Sequence, residues 1–314
     1  MRATIILWAL SSCIEFGIDP IDPIGAPVQL FEVTDSFVQA PLPAVDILFV
    51  VDDTASMAQE QEALSEAFDA MLHDLDQAGV RWQIGVVTTD MAVESAGMLR
   101  GNPWILTPET SDLQAHFSAM IEVGTKGSGD EAGLAAALLA LEYAEIGGPN
   151  VGFRRGDAGL HVIFVSDSDD NSDAYLDEPV STFLKVLDGE SILGTSAVAS
   201  SLIGDVPVGC ASPMGTALAG FRYAEVTQST GGAEVSICAS DFGPLLQVLG
   251  EVSITYQRVY SLSEVPLEDS VRVRIDGEVY TGSYGVDLAL RTVTFDVPPT
   301  PGAAVEITYL VSNA

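Results

Sequence analysis

Asp52-Asp53-Thr54-Ala55-Ser56 places a carboxylate and two hydroxyls at alternate positions, directly after the apolar run 45–51. Oxygen donors at that spacing in a tight loop suit a hard divalent cation: Mg²⁺, Mn²⁺ or Ca²⁺. Two of the three donors, Thr54 and Ser56, are neutral, so a bound Mg²⁺ would keep most of its charge. It would then draw an outside anion, such as a carboxylate on a partner protein, into its shell. A following helix N-terminus would favour that anion as well. Asp, Thr and Ser are also common helix N-caps, so a plain cap is the competing reading of the triplet. Other reactive groupings are few. Histidine occurs only at His73, His116 and His161, with no HExxH and no CxxC, which argues against a zinc site. With no nucleophile elbow and no Cys/His dyad, no enzyme activity is expected.

The elements that must position this loop read as an α/β fold. The runs 45–51 and 161–165 are rich in Val, Ile and Phe and suit strands buried on both faces, and 82–87 and 197–203 read as further strands. Between them, helical spacing is predicted over 58–78, 112–123, 131–145, 180–188, 214–229 and 241–252. Strands alternating with helices predict a doubly wound, mostly parallel sheet, which binds ligands at the carboxyl ends of its strands. From about residue 257 the period falls to two, as in Val271, Val273 and Ile275, with a turn at Asp276-Gly277. That predicts a small antiparallel all-β unit over 257–314. Residues 14–44, with Pro20, Pro23, Pro27, Pro41 and Pro43, are expected to be a Pro-rich tether to an α/β domain at 45–256.

The strand 45–51, the Asp52-x-Thr54-x-Ser56 loop and the α/β alternation together resemble a von Willebrand factor type A (VWA) domain with a metal-ion-dependent adhesion site. In that family the first motif is Asp-x-Ser-x-Ser, and Thr54 keeps the hydroxyl. The resemblance covers about residues 45–252 and implies a further ligand, an aspartate ending a central strand. Val162-Ile163-Phe164-Val165-Ser166-Asp167 fits, so Asp167 is implied to hold the ion, typically through water. The family also supplies a threonine from a glycine-rich loop before a helix. Here that loop is Gly124-Thr125-Lys126-Gly127-Ser128-Gly129-Asp130-Glu131, where Thr125, Ser128 and Asp130 all remain candidates. An Asp130 ligand would make the site more anionic, favour Ca²⁺ and weaken the pull on a carboxylate partner.

Two other motifs compete for attention. Asp167-x-Asp169-x-Asn171-x-Asp173-x-Tyr175-x-x-Glu178 has the ligand spacing of an EF-hand loop, but Ser172 stands where that loop needs glycine and a strand precedes it. A solvated acidic loop is the expected reading. Arg155-Gly156-Asp157 is a tripeptide read by animal integrins, and a three-residue match of this kind is expected by chance.

At the start of the chain, Arg2 precedes an apolar run that ends in Leu10-Ser11-Ser12-Cys13. This resembles the lipobox of bacterial lipoproteins and implies a signal peptide over 1–13, acylation of Cys13 and an envelope anchor. Ile14 after the cysteine resembles outer-membrane sorting, with periplasmic or surface display. Cys210 and Cys238 then remain, and an exported chain is expected to join them in a disulfide over a loop of about 29 residues. The 45 Asp and Glu against 12 Lys and Arg, a net charge of −33, repel phosphate backbones and exclude nucleic acid as a natural partner. The function expected is an anchored, non-enzymatic adhesion or protein-interaction module. The alternative is a structural envelope lipoprotein with a degenerate metal site, whose C-terminal β unit carries the interaction.

Overall fold

The computed structural model describes residues 29–40, 42, 44–190, 197–213, 215–254 and 257–312. Cys13 and the lipobox lie outside the described residues. The elements in chain order are β1 (Leu30–Val38), β2 (Ala44–Val51), α1 (Ala58–Glu66), α2 (Phe68–Ala78), β3 (Arg81–Thr88), α3 (Leu113–Ile121), α4 (Gly133–Tyr143) and β4 (Gly159–Ser166). They continue with α5 (Pro179–Glu190), β5 (Ala197–Ile203), β6 (Cys210–Ser212), β7 (Gly215–Ala217), α6 (Phe221–Thr230), β8 (Glu234–Ser236) and α7 (Gly243–Ser253). The chain ends in β9 (Val259–Ser261), β10 (Arg272–Ile275), β11 (Glu278–Val279), β12 (Tyr284–Asp287), β13 (Thr292–Phe295) and β14 (Ala304–Ser312).

Five strands in the order β3-β2-β4-β5-β8 form a sheet in which every ladder is parallel. Each residue of β2 and β4 is buried, as their unbroken apolar runs require. One face packs Ile47, Phe49 and Val51 against α1, α2, α3 and α7 through Phe68, Met71, Phe117 and Leu246. The other packs Leu48, Val50 and Phe164 against α4, α5 and α6 through Leu134, Ala137, Phe183 and Tyr223. This is the expected doubly wound α/β sheet. His161 in β4 is wholly buried between the Ser253 and Ser200 hydroxyls, at 2.7 and 2.8 Å. Burial pushes its pKa down to about 3, so it is a neutral packing group.

The antiparallel unit holds two sheets, β1-β14-β10-β11 and β12-β13-β9, closed over Tyr260, Val273, Phe295, Val305, Ile307 and Tyr309. Here the expected tether is corrected. Residues 30–38 form β1 and pair with β14 over its whole length, from Leu30↔Ser312 to Val38↔Ala304. The prolines bracket this stretch rather than interrupt it, and Val33, Asp35 and Phe37 alternate inward. Two helical expectations also change. Residues 58–78 are two helices, broken where Ala67 takes φ −90° and ψ 3°. In 215–220 the short strand β7 stands where the helix was expected to begin, and α6 starts at Phe221.

Cys210 and Cys238 are bridged, with Cα atoms 6.1 Å apart. The bond ties the β6–β7 hairpin to the segment between β8 and α7. In the chain-entropy picture a loop of this length contributes about 3–4 kcal/mol. Reduction should therefore lower the urea midpoint of the full chain, with a slope equal or steeper because the unfolded chain is freed. An unchanged midpoint with and without reductant would rule out a stabilising role.

Candidate metal centre

The loop after β2, the segment 124–131 before α4 and the loop after β4 meet at the carboxyl end of the parallel sheet. The junction is built by backbone bonds. Asp52 N donates to Val165 O at 2.9 Å, Gly127 N to Asp53 O at 2.8 Å, and Ala132 N to Thr89 O at 3.1 Å. Gln61, buried on α1, staples two of these loops by donating to Asp52 O and Gly124 O, both at 2.9 Å.

Asp52 is fully buried. Its Oδ1 accepts from the Thr54 backbone N–H (2.8 Å) and hydroxyl (2.6 Å), and its Oδ2 from the Ser166 hydroxyl (2.7 Å). Thr54 Oγ1 and Ser56 Oγ lie 3.3 Å apart. Neither side chain caps the short helical turn 55–57 or α1, so the N-cap reading does not describe this loop. A hydroxyl that gives its proton to Asp52 keeps its lone pairs for another group. Neighbouring oxygens on a six-coordinate ion at about 2.1–2.4 Å would be about 3.0–3.4 Å apart, which the hydroxyl pair matches. Asp167 is buried at the end of β4, its Oδ1 accepting from the Ser168 hydroxyl at 3.2 Å.

The candidates in 124–131 sit in different surroundings. Thr125 and Asp130 are exposed. Ser128 is half-buried and spends its backbone N–H on Asp90 Oδ2 at 3.3 Å. The residue turned inward is Glu131, 1% exposed. The Thr89 hydroxyl donates to its Oε2, while Oε1 has no hydrogen-bond partner. Burial, followed by the negative charge of Asp52, pushes the Glu131 carboxyl up to about 8. Asp52 is raised too, chiefly by burial and against the lowering effect of its hydrogen bonds, with Asp167 adding repulsion. Sequence reasoning also missed Glu60 of α1, 5% exposed, whose Oε2 is unpartnered. Its carboxyl is raised by burial and then by Asp167 and Asp52. One signal for it was available: Glu60 follows Ser56 by four residues, the spacing that puts two side chains on one helix face.

Carboxylates desolvated together without a compensating cation either bind protons or bind a metal. The donors present therefore fit a divalent ion, the orphaned Glu131 Oε1 being the plainest sign. No three His, Cys, Asp or Glu side chains among the described residues are arranged to hold an ion unaided. The Thr54 and Ser56 hydroxyls would have to share the task.

The acidic loop 167–178 is not an EF-hand. Asp170 is buried and accepts from Leu134 N at the start of α4 (3.0 Å) and from the Ser172 hydroxyl (2.7 Å). Asp169 accepts from Arg222 N at the start of α6 (2.9 Å). Asp169 and Asp170 thus satisfy N–H groups at the start of two helices, while Asn171, Asp173, Asp177 and Glu178 are exposed, as a solvated loop requires. Arg155-Gly156-Asp157 is equally committed. Arg155 holds buried Asp46 at 2.7 Å, and Asp157 pairs with Arg81 at 2.9 Å.

No protein-family model and no curated protein matches the sequence. Solved structures to which the chain is similar include the pilus adhesin SpaC from Lactobacillus rhamnosus GG, in an open conformation. The identity is 12%, the TM-score 0.41, and the match covers 90% of this chain and 40% of that one. Another is proximal thread matrix protein 1 from the mussel byssus, at 13% identity and TM-score 0.42, covering 73% and 51%. A form of the mussel protein with a zinc-occupied MIDAS motif matches at 15% identity and TM-score 0.41, covering 71% and 49%. The chain thus spans about half or less of the length of these proteins.

Proposed function

We propose that this chain is a non-enzymatic adhesion or protein-interaction module that grips an acidic group of a partner protein through a divalent cation. Asp52, Thr54, Ser56 and Asp167 would hold the ion, with Glu131 taking the place for which Ser128 and Asp130 were candidates. The observation that carries this reading is the buried Glu131 carboxylate, its Oε1 without a hydrogen-bond partner, facing an Asp52 that lies beside two adjacent hydroxyls. When bound, the ion offers a coordination position to an external carboxylate, whose pull the third carboxylate weakens. The protein's own part is to hold the donors in place: Gln61 ties the loops, and Ser166 and Thr89 orient Asp52 and Glu131. A third carboxylate favours Ca²⁺ or Mn²⁺ over Mg²⁺, which prefers to keep its waters. We further place the chain outside the cytoplasm, anchored to a bacterial envelope through Cys13. The disulfide suits an oxidising compartment.

The test is calorimetric titration of Mg²⁺, Mn²⁺ and Ca²⁺ into the full chain, beside Asp52→Ala. One saturable site, lost in the variant, is the expected result. Binding that survives the substitution, or none at all, would sink the proposal and leave interaction to the C-terminal β unit.

A further inference from the structure

The β6–β7 hairpin arches along one side of the candidate centre. At its turn Gly215 lies against Glu60, where an added Cβ would come within 3.2 Å of Oε1. At its end the Leu218 backbone N–H donates to Asp167 O at 2.8 Å. The path is fixed. Cys210, paired with Ala217 across the hairpin, is disulfide-bonded, and Gly204 leaves room for the Leu218 carbonyl, which a Cβ there would meet at 2.0 Å. A Cβ on Gly209 would likewise meet the Ala217 carbonyl oxygen, at 2.2 Å, so the chain next to Val208 runs close along the same strand end. Phe221 opens α6, one residue before the Arg222 N–H that bonds Asp169.

Large apolar side chains of this rim face solvent. Val208 is 88% exposed, Leu218 70% and Phe221 50%. In a chain of net charge −33, large apolar side chains grouped beside a carboxylate cluster mark a contact surface rather than a solvated face. The acidic surroundings repel any anion that is not held by a cation, so a carboxylate partner needs a second source of affinity here.

We infer that the partner segment carries a large apolar side chain within about two residues of its acidic one, and that Val208, Leu218 and Phe221 select it. This rests on the cation-dependent reading above. The probe is a random-peptide display library panned on the full chain in Ca²⁺ and released with EDTA. Released peptides should hold Asp or Glu next to Leu, Ile, Phe, Met or Trp. The double substitution Leu218→Ser, Phe221→Ser should weaken them about tenfold or more, the scale expected from losing one buried side chain. Its Ca²⁺-induced rise in melting temperature should match the parent's. EDTA-released acidic peptides with no apolar neighbour, or peptides indifferent to the double substitution, would overturn the inference while leaving the cation site standing. A full chain that sediments as a dimer, and is made monomeric by the double substitution, would also overturn it by showing a second copy on the patch. Recovery of no EDTA-released peptide, together with no Ca²⁺ effect on melting, would remove the reading underneath.

Discussion

Glu131→Gln is expected to stabilise the cation-free protein and weaken it as a cation binder. The two effects have one cause. A carboxylate that is 1% exposed, with Oε1 unpartnered and Asp52 facing it, is costly when ionised. Its pKa rises from an ordinary 4.5 to about 8 on folding, so between those pH values the folded state holds more protons than the unfolded one. Stability that is fully present below pH 4.5 is therefore lost as pH rises through about 8. The penalty at pH 8 is on the order of a few kcal/mol. For a domain of this size that is about 5 °C or more in melting temperature. In EDTA at pH 8 the variant should melt above the parent by that amount, and near pH 4.5 the two should coincide. With Ca²⁺ the order should reverse, because the cation replaces the proton in the parent, and the variant's affinity should fall at least tenfold. The parent's own gain from Ca²⁺ should grow from pH 5 to pH 8. Melting curves on a pH grid, with and without Ca²⁺, test both halves. A variant that melts below the parent in EDTA at pH 8 would mean that Glu131 is satisfied in the fold and is no ligand.

The parts legible from sequence are those where one residue type has one physical use. Unbroken Val/Ile/Phe runs such as 45–51 and 161–165 have no stable place except a sheet covered on both faces, and they lie there. Asp52 and Asp167 could be placed because each follows such a run, and strand ends face the ligand side of this architecture. Glu131, which we propose as a ligand, was harder to see. The resemblance pointed to a hydroxyl or to Asp130, and burial of an acid shows in sequence only through its neighbours. Those neighbours are Ala132, Gly133 and the alanines of α4, small residues that let the helix start press into the sheet end. β1 was hidden for a different reason. Its partner β14 lies at the far end of the chain, and prolines on both sides masked the alternation of Val33, Asp35 and Phe37. Within the otherwise solvated loop 167–178, charge patterning hid two residues. Acids usually seek water, yet Asp169 and Asp170 meet helix N-termini whose N–H groups have no other partner.

Asp46→Ala should be among the most destabilising single changes in the chain, although it lies far along β2 from the candidate centre. Asp46 is wholly buried and accepts from Arg154 Nη1 at 2.6 Å and from Arg155 N and Nε at 2.8 and 2.7 Å. Burial nevertheless raises its pKa, with the two arginines opposing the rise. The cluster is thus no large net gain over an apolar filling, but removing one member is another matter. Without Asp46 the half-buried Arg154 and Arg155 lose their shared anion, and the Arg155 backbone N–H loses its acceptor. Breaking such a pair from one side costs about 3–5 kcal/mol, and partial exposure of the guanidiniums places this case at about 3. Asp157→Ala, which ends the exposed pair with Arg81, should leave the urea midpoint where it is. The contrast separates two uses of Arg155-Gly156-Asp157. If the tripeptide is scaffold, stability tracks Asp46 and Arg155, and peptide capture in Ca²⁺ is indifferent to Asp157. If capture instead falls with Asp157→Ala while Asp46→Ala unfolds nothing, the tripeptide is a recognition element at the opposite end of the sheet. The hydrogen bonds that hold Arg155 to Asp46, Val45 O and Arg81 O favour the first outcome.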